Sequence, residues 1–253
     1  MFQIAGHKAL IAYVTVGYPS IDTTLRVVPM LAKSGCDIIE LGIPFSDPLA
    51  DGVTIQQASY KALQAGITPQ TCLDIAKKVS VKVKTPLVFM SYFNPIFSYG
   101  LAKFCKESSS SGIDGLIIPD LPPEEGIGLE KTAVSAGLDL IYLLAPTSPE
   151  ERVRLVAKRS QGFIYLVSVT GTTGTRNTLP PDLDDFVNRV RRITKKPLCV
   201  GFGITTPEQA KRVSRLADGV IVGSRIIQRM EQDSSLTKVA EFAASLRHAI
   251  DVG

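Results

Sequence analysis

The chain has 253 residues, of which 45% are apolar and 21% charged, a composition typical of a globular protein with a sizeable core, which excludes extended disorder. Its formal net charge of +4 includes no basic run longer than Arg191-Arg192 and Lys195-Lys196, and no aromatic residues are interleaved with these pairs. Both pairs are expected at a helix end, where positive charge is favourable, so a nucleic-acid-binding surface is not indicated.

Eight apolar runs predict strands, and helical patterns separate them. The predicted strands are residues 9–16, 36–42, 86–91, 113–119, 138–144, 162–168, 197–201 and 218–223. The predicted helices are Ile21–Lys33, Val53–Gln64, Pro69–Val83, Leu101–Ser109, Glu124–Ala136, Pro149–Lys158, Leu183–Ile193, Pro207–Leu216 and the short run Arg225–Met230. This pattern predicts one α/β domain over residues 1–253, a closed (β/α)₈ TIM barrel with its active site at the carboxyl ends of the strands. The alternative is an open doubly wound sheet, which usually carries an early glycine-rich dinucleotide motif that this chain lacks.

A short echo supports the parallel arrangement. The segments Ser34-Gly35-Cys36-Asp37, Ser111-Gly112-Ile113-Asp114 and Ala136-Gly137-Leu138-Asp139, and more loosely Leu216-Ala217-Asp218-Gly219, each precede an apolar run. Glycine fits the left-handed residue just past a helix end, so each copy predicts a helix that closes and a strand that begins.

One of the predicted strands carries an acid, Glu40, in an otherwise apolar run. Because side chains alternate along a strand, Glu40 shares a face with Cys36 and Ile38 and is expected to point into the core. A carboxyl group pushed into apolar surroundings, without a charge partner, holds its proton near neutral pH, which a general acid requires. The alternative is a satisfied core acid without a chemical role.

The loop that follows, Gly42 to Gly52, contains Asp47 and Asp51. Pro44 and Pro48 exclude a strand or helix interior, so the loop is expected to have a fixed shape. The two aspartates are either functional groups or ordinary turn and helix-cap residues. The same rim is predicted to hold Thr15–Pro19, Ser91–Pro95 and Pro119–Pro123, for which plain turn chemistry is the simpler interpretation.

The last strands predict a phosphate site. Strand seven ends in Gly201-Phe202-Gly203, and strand eight ends in Gly223-Ser224, where a short helix begins. Glycines let backbone N–H groups approach an anion, and the positive end of the helix points to the same place. This is the usual position of a phosphate site in such barrels. Strand six leads into the small, hydroxyl-rich loop Ser168–Asn177, which is predicted to be a lid.

The remaining reactive residue types point to carboxyl chemistry in a reducing compartment. The two histidines, His7 and His248, are expected at the surface, so proton transfer depends on carboxyl, tyrosine or lysine side chains. The four cysteines are Cys36, Cys72, Cys105 and Cys199. Their wide spacing predicts free buried thiols and indicates neither a disulfide framework nor a zinc site. The apolar stretch at residues 9–16 is too short to span a membrane, so a cytoplasmic protein is expected.

These motifs resemble one family, the tryptophan synthase alpha subunit, over essentially the whole chain. The carriers of the resemblance are Glu40 to Gly52, Tyr92-Phe93-Asn94-Pro95, Pro119-Asp120-Leu121-Pro122, Val169-Thr170-Gly171-Thr172-Thr173-Gly174, Gly201-Phe202-Gly203 and Gly223-Ser224. The most specific is a glutamate followed eleven positions later by the second aspartate of Phe-Ser-Asp-Pro-Leu-Ala-Asp-Gly.

The resemblance implies cleavage of indole-3-glycerol phosphate to indole and glyceraldehyde 3-phosphate, without a metal or organic cofactor. It implies Glu40 as the acid that protonates the indole ring, and again as a base, with Asp51 as acceptor of the indole N–H. Tyr165 would lie beside the substrate, and Thr173 would bind Asp51 when the lid closes. Phosphate would rest on the N–H groups of Gly174, Gly203, Gly223 and Ser224.

The resemblance also implies a partner, a beta subunit in an αββα heterotetramer, which binds pyridoxal phosphate and receives the indole. Asp47 and Pro48, with Asn94 and Pro95, resemble contact residues for that subunit. Two alternatives stay open: a regulatory alpha subunit with weak turnover, and another phosphate-binding barrel such as an isomerase or epimerase.

Overall fold

The fold is a nearly closed barrel of parallel strands surrounded by helices. The computed structural model describes Phe2 and residues 6–167, 180–201 and 203–252. In these residues the strands are β1 (Ala9–Thr15), β2 (Ile38–Gly42), β3 (Leu87–Met90), β4 (Gly115–Ile117), β5 (Asp139–Ile141), β6 (Leu143–Leu144), β7 (Ile164–Val167), β8 (Leu198–Gly201) and β9 (Gly219–Val222). The helices are α1 (Ile21–Lys33), α2 (Val53–Gln64), α3 (Pro69–Ser80), α4 (Phe93–Tyr99), α5 (Leu101–Ser110), α6 (Ile127–Ser135), α7 (Glu150–Arg159), α8 (Leu183–Ile193), α9 (Pro207–Leu216), α10 (Ser224–Gln232) and α11 (Thr237–Asp251).

The strand order confirms the predicted (β/α)₈ barrel. Neighbouring strands follow the order β5-β4-β3-β2-β1-β9-β8-β7-β6, and every pair is parallel. The two end strands, β5 and β6, are the halves of one predicted strand, interrupted at Tyr142. The interruption arises because the Tyr142 N–H donates to Ser160 Oγ at 3.0 Å and not to a neighbouring strand. The sheet thus joins β4 to β7 through a single stretch of chain.

Several helices begin and end where the sequence predicts. This holds for α1, α2, α8 and α9. Helix α9 begins with a capping box, in which Thr206 Oγ1 accepts the Gln209 N–H at 3.3 Å and the Gln209 side chain accepts the Thr206 N–H in return. Helix α4 is a correction, because the segment after strand three was predicted as a turn. Its Pro95 lies in the first turn, where a missing N–H costs no hydrogen bond within the helix.

The core and the surface follow the predicted polarity. All four cysteines are free and buried, as expected. Of the two histidines, His248 is exposed, whereas His7 is half-buried and its ring Nε2 lies 2.8 Å from Asp37 Oδ1. None of the helices in the described part of the chain combines the length and the apolar character that crossing a bilayer requires.

Three of the four aspartates of the sequence echo hold neighbouring strands together at the lower rim, the rim at the amino ends of the strands. The Asp37 N–H donates to the Leu10 carbonyl at 2.7 Å, and Asp37 Oδ2 accepts the Leu10 N–H at 2.8 Å. The same pair of bonds joins Asp114 to Leu87 and Asp218 to Leu198. We call each such pair of bonds a lower-rim clasp. It links β2 to β1, β4 to β3 and β9 to β8.

Candidate active site

A cavity at the upper rim, where the strands end, brings together most of the residues that the sequence singles out. It is lined by Glu40, Asp51, Tyr165, Gly203, Gly223 and Ser224, and also by Tyr13. Thr173, Gly174 and the rest of the predicted lid lie outside the described residues, as does Phe202. The two acids and the two glycine turns therefore share one cavity, as the barrel topology requires.

Glu40 is fully buried and lines this cavity. It lies on β2, and strand alternation turns its side chain to the interior while Ile39 and Leu41 face the helices. Neither carboxyl oxygen has a hydrogen-bond partner among the described residues. Burial alone raises the pKa of Glu40 to about 8. The predicted burial of Glu40 is confirmed, and desolvation is the cause of its raised pKa, as expected. The carboxyl group is therefore mostly protonated at neutral pH.

Asp51 lines the same cavity and is held by a tyrosine. The Tyr92 hydroxyl donates to Asp51 Oδ2 at 3.1 Å and accepts the Ala50 N–H at 2.9 Å. Asp51 Oδ1 is buried without a partner within the described chain. Burial raises the pKa of Asp51 to about 6, with the Tyr92 hydrogen bond acting in the opposite direction. Asp51 is not a helix cap, because Gly52 is the residue that precedes α2.

The environments of the two carboxyl groups give Glu40 a higher pKa than Asp51. At pH 7 Glu40 is mostly protonated and Asp51 is mostly ionised. One group therefore offers a proton, and the other a negative charge with one free oxygen, inside the same cavity. Sequence reasoning missed the role of Tyr92. Its only signal was the Tyr92-Phe93-Asn94-Pro95 motif, which does not show that the side chain folds back onto Asp51.

The predicted anion site faces the same space. Gly223 precedes the nine-residue helix α10, which begins at Ser224, so the first N–H groups of that helix point towards the cavity. Gly203 has a φ of 79°, a conformation that a residue with a side chain rarely adopts. An anion seated here would lie in the same cavity as Asp51.

The four predicted partner-contact residues lie on two segments that touch each other. The loop after β2 and the start of α4 are joined by the Ala50 to Tyr92 hydrogen bond. Asp47 and Asn94 are exposed and Pro95 is half-buried. Pro48 is buried in the isolated chain, and its carbonyl accepts the Asp51 N–H at 3.0 Å, so it shapes the loop that carries Asp47.

Taken together, the barrel and its cavity are typical of an enzyme that acts on a phosphorylated small molecule, and two buried carboxyl groups lie within the cavity. The described residues contain no group of three or more histidine, cysteine or acidic side chains placed to hold a metal ion.

Comparison with known proteins narrows this class to one family. The tryptophan synthase alpha chain family matches residues 2–251. The tryptophan synthase alpha chain of Dehalococcoides mccartyi is 59% identical over 244 residues, 96% of this chain and 96% of that protein. A chain of Mycobacterium tuberculosis tryptophan synthase superposes with a TM-score of 0.91 at 34% identity, covering 98% of this chain and 94% of that one. Tryptophan synthase subunit alpha of Legionella pneumophila superposes with a TM-score of 0.90 at 36% identity, covering 97% of this chain and 94% of that one. The chain therefore belongs to the tryptophan synthase alpha chain family.

Proposed function

We propose that Glu40 and Asp51 are the catalytic pair of this chain and that the glycine turns at Gly203 and Gly223 anchor its substrate. As a member of its family the chain is a carbon–carbon lyase of tryptophan biosynthesis, which cleaves indole-3-glycerol phosphate to indole and glyceraldehyde 3-phosphate. The observation that carries the assignment of residues is the buried Glu40, protonated at neutral pH and without a charge partner. Family membership excludes the isomerase and epimerase alternative.

The first step requires a proton on the ring carbon that bears the glycerol chain. Glu40 donates this proton, and the ring becomes a cation with its charge shared by the indole nitrogen. Asp51 accepts the indole N–H through its unpartnered Oδ1 and stabilises that cation, while Tyr92 holds Oδ2 in place. The acid and the counter-charge thus act on opposite ends of the same heterocycle.

The second step breaks the carbon–carbon bond. Glu40, now a carboxylate, takes the proton of the glycerol hydroxyl next to the ring. The O–H electrons form the aldehyde carbonyl, and the electrons of the breaking bond return to the ring and neutralise it. Glu40 ends protonated, so the cycle consumes no acid.

Thr173 and Gly174 complete the proposal on the side of the predicted lid. Thr173 would hydrogen-bond Asp51, and the Gly174 N–H would contact the phosphate, when the predicted lid closes over the substrate. Both assignments rest on the motif Val169–Gly174 alone. Tyr165, which is buried on β7 and lines the cavity, would contact the indole.

The phosphate site is tested by changing Ser224 in two ways. Ser224→Asp places a negative charge at the start of α10, so we expect the affinity for glyceraldehyde 3-phosphate to fall at least about tenfold through repulsion. Ser224→Ala keeps the backbone N–H. Its affinity for glyceraldehyde 3-phosphate is expected to stay within about threefold of the parent, because at most one modest hydrogen bond is lost. Calorimetry with glyceraldehyde 3-phosphate measures both. Equal affinity of Ser224→Asp and the parent removes the anion site from this turn.

The activity itself is tested by indole release from indole-3-glycerol phosphate, with and without a beta subunit. We expect turnover by the isolated chain that rises when the beta subunit is added. Turnover in neither case would favour the remaining alternative, a regulatory alpha subunit.

Members of this family normally pair with a beta subunit. For this chain we propose the same αββα assembly, docked on the loop after β2 and the start of α4. This surface carries the exposed Asp47 and Asn94, and with them two large apolar side chains, Leu49 at 81% and Phe97 at 63% exposure. Exposed apolar groups of this size beside polar ones are typical of a protein interface.

A matched pair of substitutions tests the docking surface. Leu49→Lys is expected to weaken capture by an immobilised beta subunit about tenfold or more, because a lysine cannot be buried there without cost. Val81→Lys is the control, since Val81 is equally exposed, at 82%, but follows α3 at the lower rim. Equal capture of both variants would place the interface elsewhere.

A further inference from the structure

The geometry points to Tyr13 as a catalytic residue of this chain, whose phenol hydroxyl donates a hydrogen bond to the glycerol oxygen that becomes the aldehyde carbonyl. Tyr13 is not part of any motif discussed above. The inference rests on the proposed function, because it assigns a role in that reaction.

Tyr13 stands between the proton donor and the phosphate anchor. It lies on β1, directly opposite Glu40 of β2 in the strand register. On its other side β1 pairs with β9, which ends at Gly223. A Cβ atom added to Gly223 would lie 3.2 Å from Tyr13 Cβ and 3.2 Å from Cδ1, so the ring begins against the phosphate turn. In strand order Tyr13 therefore stands between Glu40 and the Gly223 turn, and all three line one cavity. The part of the substrate between the indole carbon and the phosphate is the glycerol chain, which we assign to this side of the cavity.

The absence of a side chain at Gly42 leaves room for the Tyr13 hydroxyl over the end of β2. A Cβ atom at Gly42 would lie 2.1 Å from the Tyr13 hydroxyl oxygen and 2.5 Å from Cζ. The ring therefore leans from β1 across the end of β2, two residues beyond Glu40, in space that only glycine leaves open. Tyr165 on β7 lies in the same way over Gly201 at the end of β8. The barrel repeats this tyrosine and glycine pairing on two sides of one cavity.

The Tyr13 hydroxyl is poised as a neutral donor. Its contact with Thr15 Oγ1 measures 3.4 Å, which is long for a hydrogen bond between hydroxyl groups. Burial, with the nearby Asp51 carboxylate, raises the pKa of Tyr13 far above its ordinary value, so the phenol keeps its proton throughout the working pH range. It therefore acts through a hydrogen bond and takes no part in the proton transfers of Glu40.

The hydrogen bond matters most when the carbon–carbon bond breaks. The glycerol oxygen gains electron density as its proton leaves for Glu40, and a fixed donor stabilises that density in a site with little water. Because the bond strengthens only in the transition state, removing the donor lowers kcat more than it raises KM.

The test is Tyr13→Phe, with Tyr142→Phe as its control. Tyr142 is also a buried tyrosine that lies over a glycine, Gly126, but its hydroxyl donates to Glu130 among the helices, at 2.6 Å. We expect Tyr13→Phe to lower kcat for indole release about tenfold at every pH between 6 and 8, with KM changed less than about threefold. Tyr142→Phe is expected to leave both constants unchanged. Parental kcat in a folded Tyr13→Phe variant overturns the inference, and so does an effect confined to KM.

Gly42→Ala provides an independent check, because Gly42 has no positive φ and the three atoms nearest to its new methyl group would all belong to the Tyr13 phenol. The single change is expected to lower kcat about as much as Tyr13→Phe, and the double variant to be no worse than the poorer single one. Additive losses would contradict a shared cause. A parent chain that releases no indole would refute the proposed function, whereas an active parent matched by Tyr13→Phe would refute this inference alone.

Discussion

Replacing Glu40 by glutamine is expected to lower indole release about 10³-fold, the range in which a positioned general acid contributes. Glutamine keeps the size and polarity of the side chain and removes only the transferable proton. Because Glu40 is buried without a partner and is neutral at pH 7, the exchange strands no opposite charge, and the variant is expected to fold. Indole release under saturating substrate measures the effect.

Two further measurements separate chemistry from binding. Glyceraldehyde 3-phosphate affinity, measured by calorimetry, should stay within about threefold of the parent, since the anion turn is untouched. The pH profile of the parent should fall above about pH 8, where Glu40 loses the proton it must donate. In the glutamine variant the residual rate should lack this alkaline fall. Normal turnover by Glu40→Gln would show that another group supplies the proton.

Asp51→Asn is expected to lower turnover about 10²-fold, with a smaller effect on substrate affinity, because the lost charge acts chiefly on the ring cation of the transition state. Its pKa of about 6 adds a signature: parental activity should fall below pH 6 as Asp51 takes up a proton, and the variant should lack this acidic fall. Steady-state kinetics from pH 5 to 9 measure both.

A control for Asp51→Asn is Asp74→Asn, which removes an exposed carboxylate from α3. It should retain parental kcat and KM. A larger loss of affinity than of turnover in Asp51→Asn would instead assign Asp51 to loop structure or ground-state binding.

The sequence predicts the barrel well because its signals are local and repeated. An apolar run marks each strand, and the echo glycines Gly35, Gly112 and Gly137 have φ of 94°, 80° and 75°, the left-handed conformation expected past a helix end. Glu40 was predictable for the same reason, because alternation along one strand decides which face a side chain takes. These properties need no knowledge of neighbouring strands.

Two features of the fold were not predicted, helix α4 and the break between β5 and β6, and both depend on contacts between segments that are distant in sequence. Helix α4 forms although its sequence has turn character, and the Phe93 N–H at its start donates to Asp120 Oδ1 at 2.9 Å, from another loop. The break at Tyr142 depends on the Ser160 hydroxyl, eighteen residues further along the chain. The local sequence of neither segment shows that Asp120 or Ser160 would be its hydrogen-bond partner.

Tyr13 was missed because its importance comes from register. Its strand, residues 9–16, reads as a plain buried run, and the tyrosine differs from its neighbours only by a hydroxyl. That Tyr13 lies opposite Glu40, and leans over Gly42, follows only when β1 and β2 are paired. A glycine at the end of one strand and a tyrosine two positions earlier on its neighbour is the signal that alignment of the strands would have exposed.

The lower-rim clasp between Asp37 and Leu10 sets the height of the proton donor. Asp37 fixes the start of β2 against β1, and three residues later, roughly 10 Å along the strand, the same alignment brings Glu40 level with Tyr13. A slip of one position would rotate Glu40 out of the cavity towards the helices. Asp37, at the lower rim and away from the substrate, thus determines how far along the barrel axis the Glu40 carboxyl group lies.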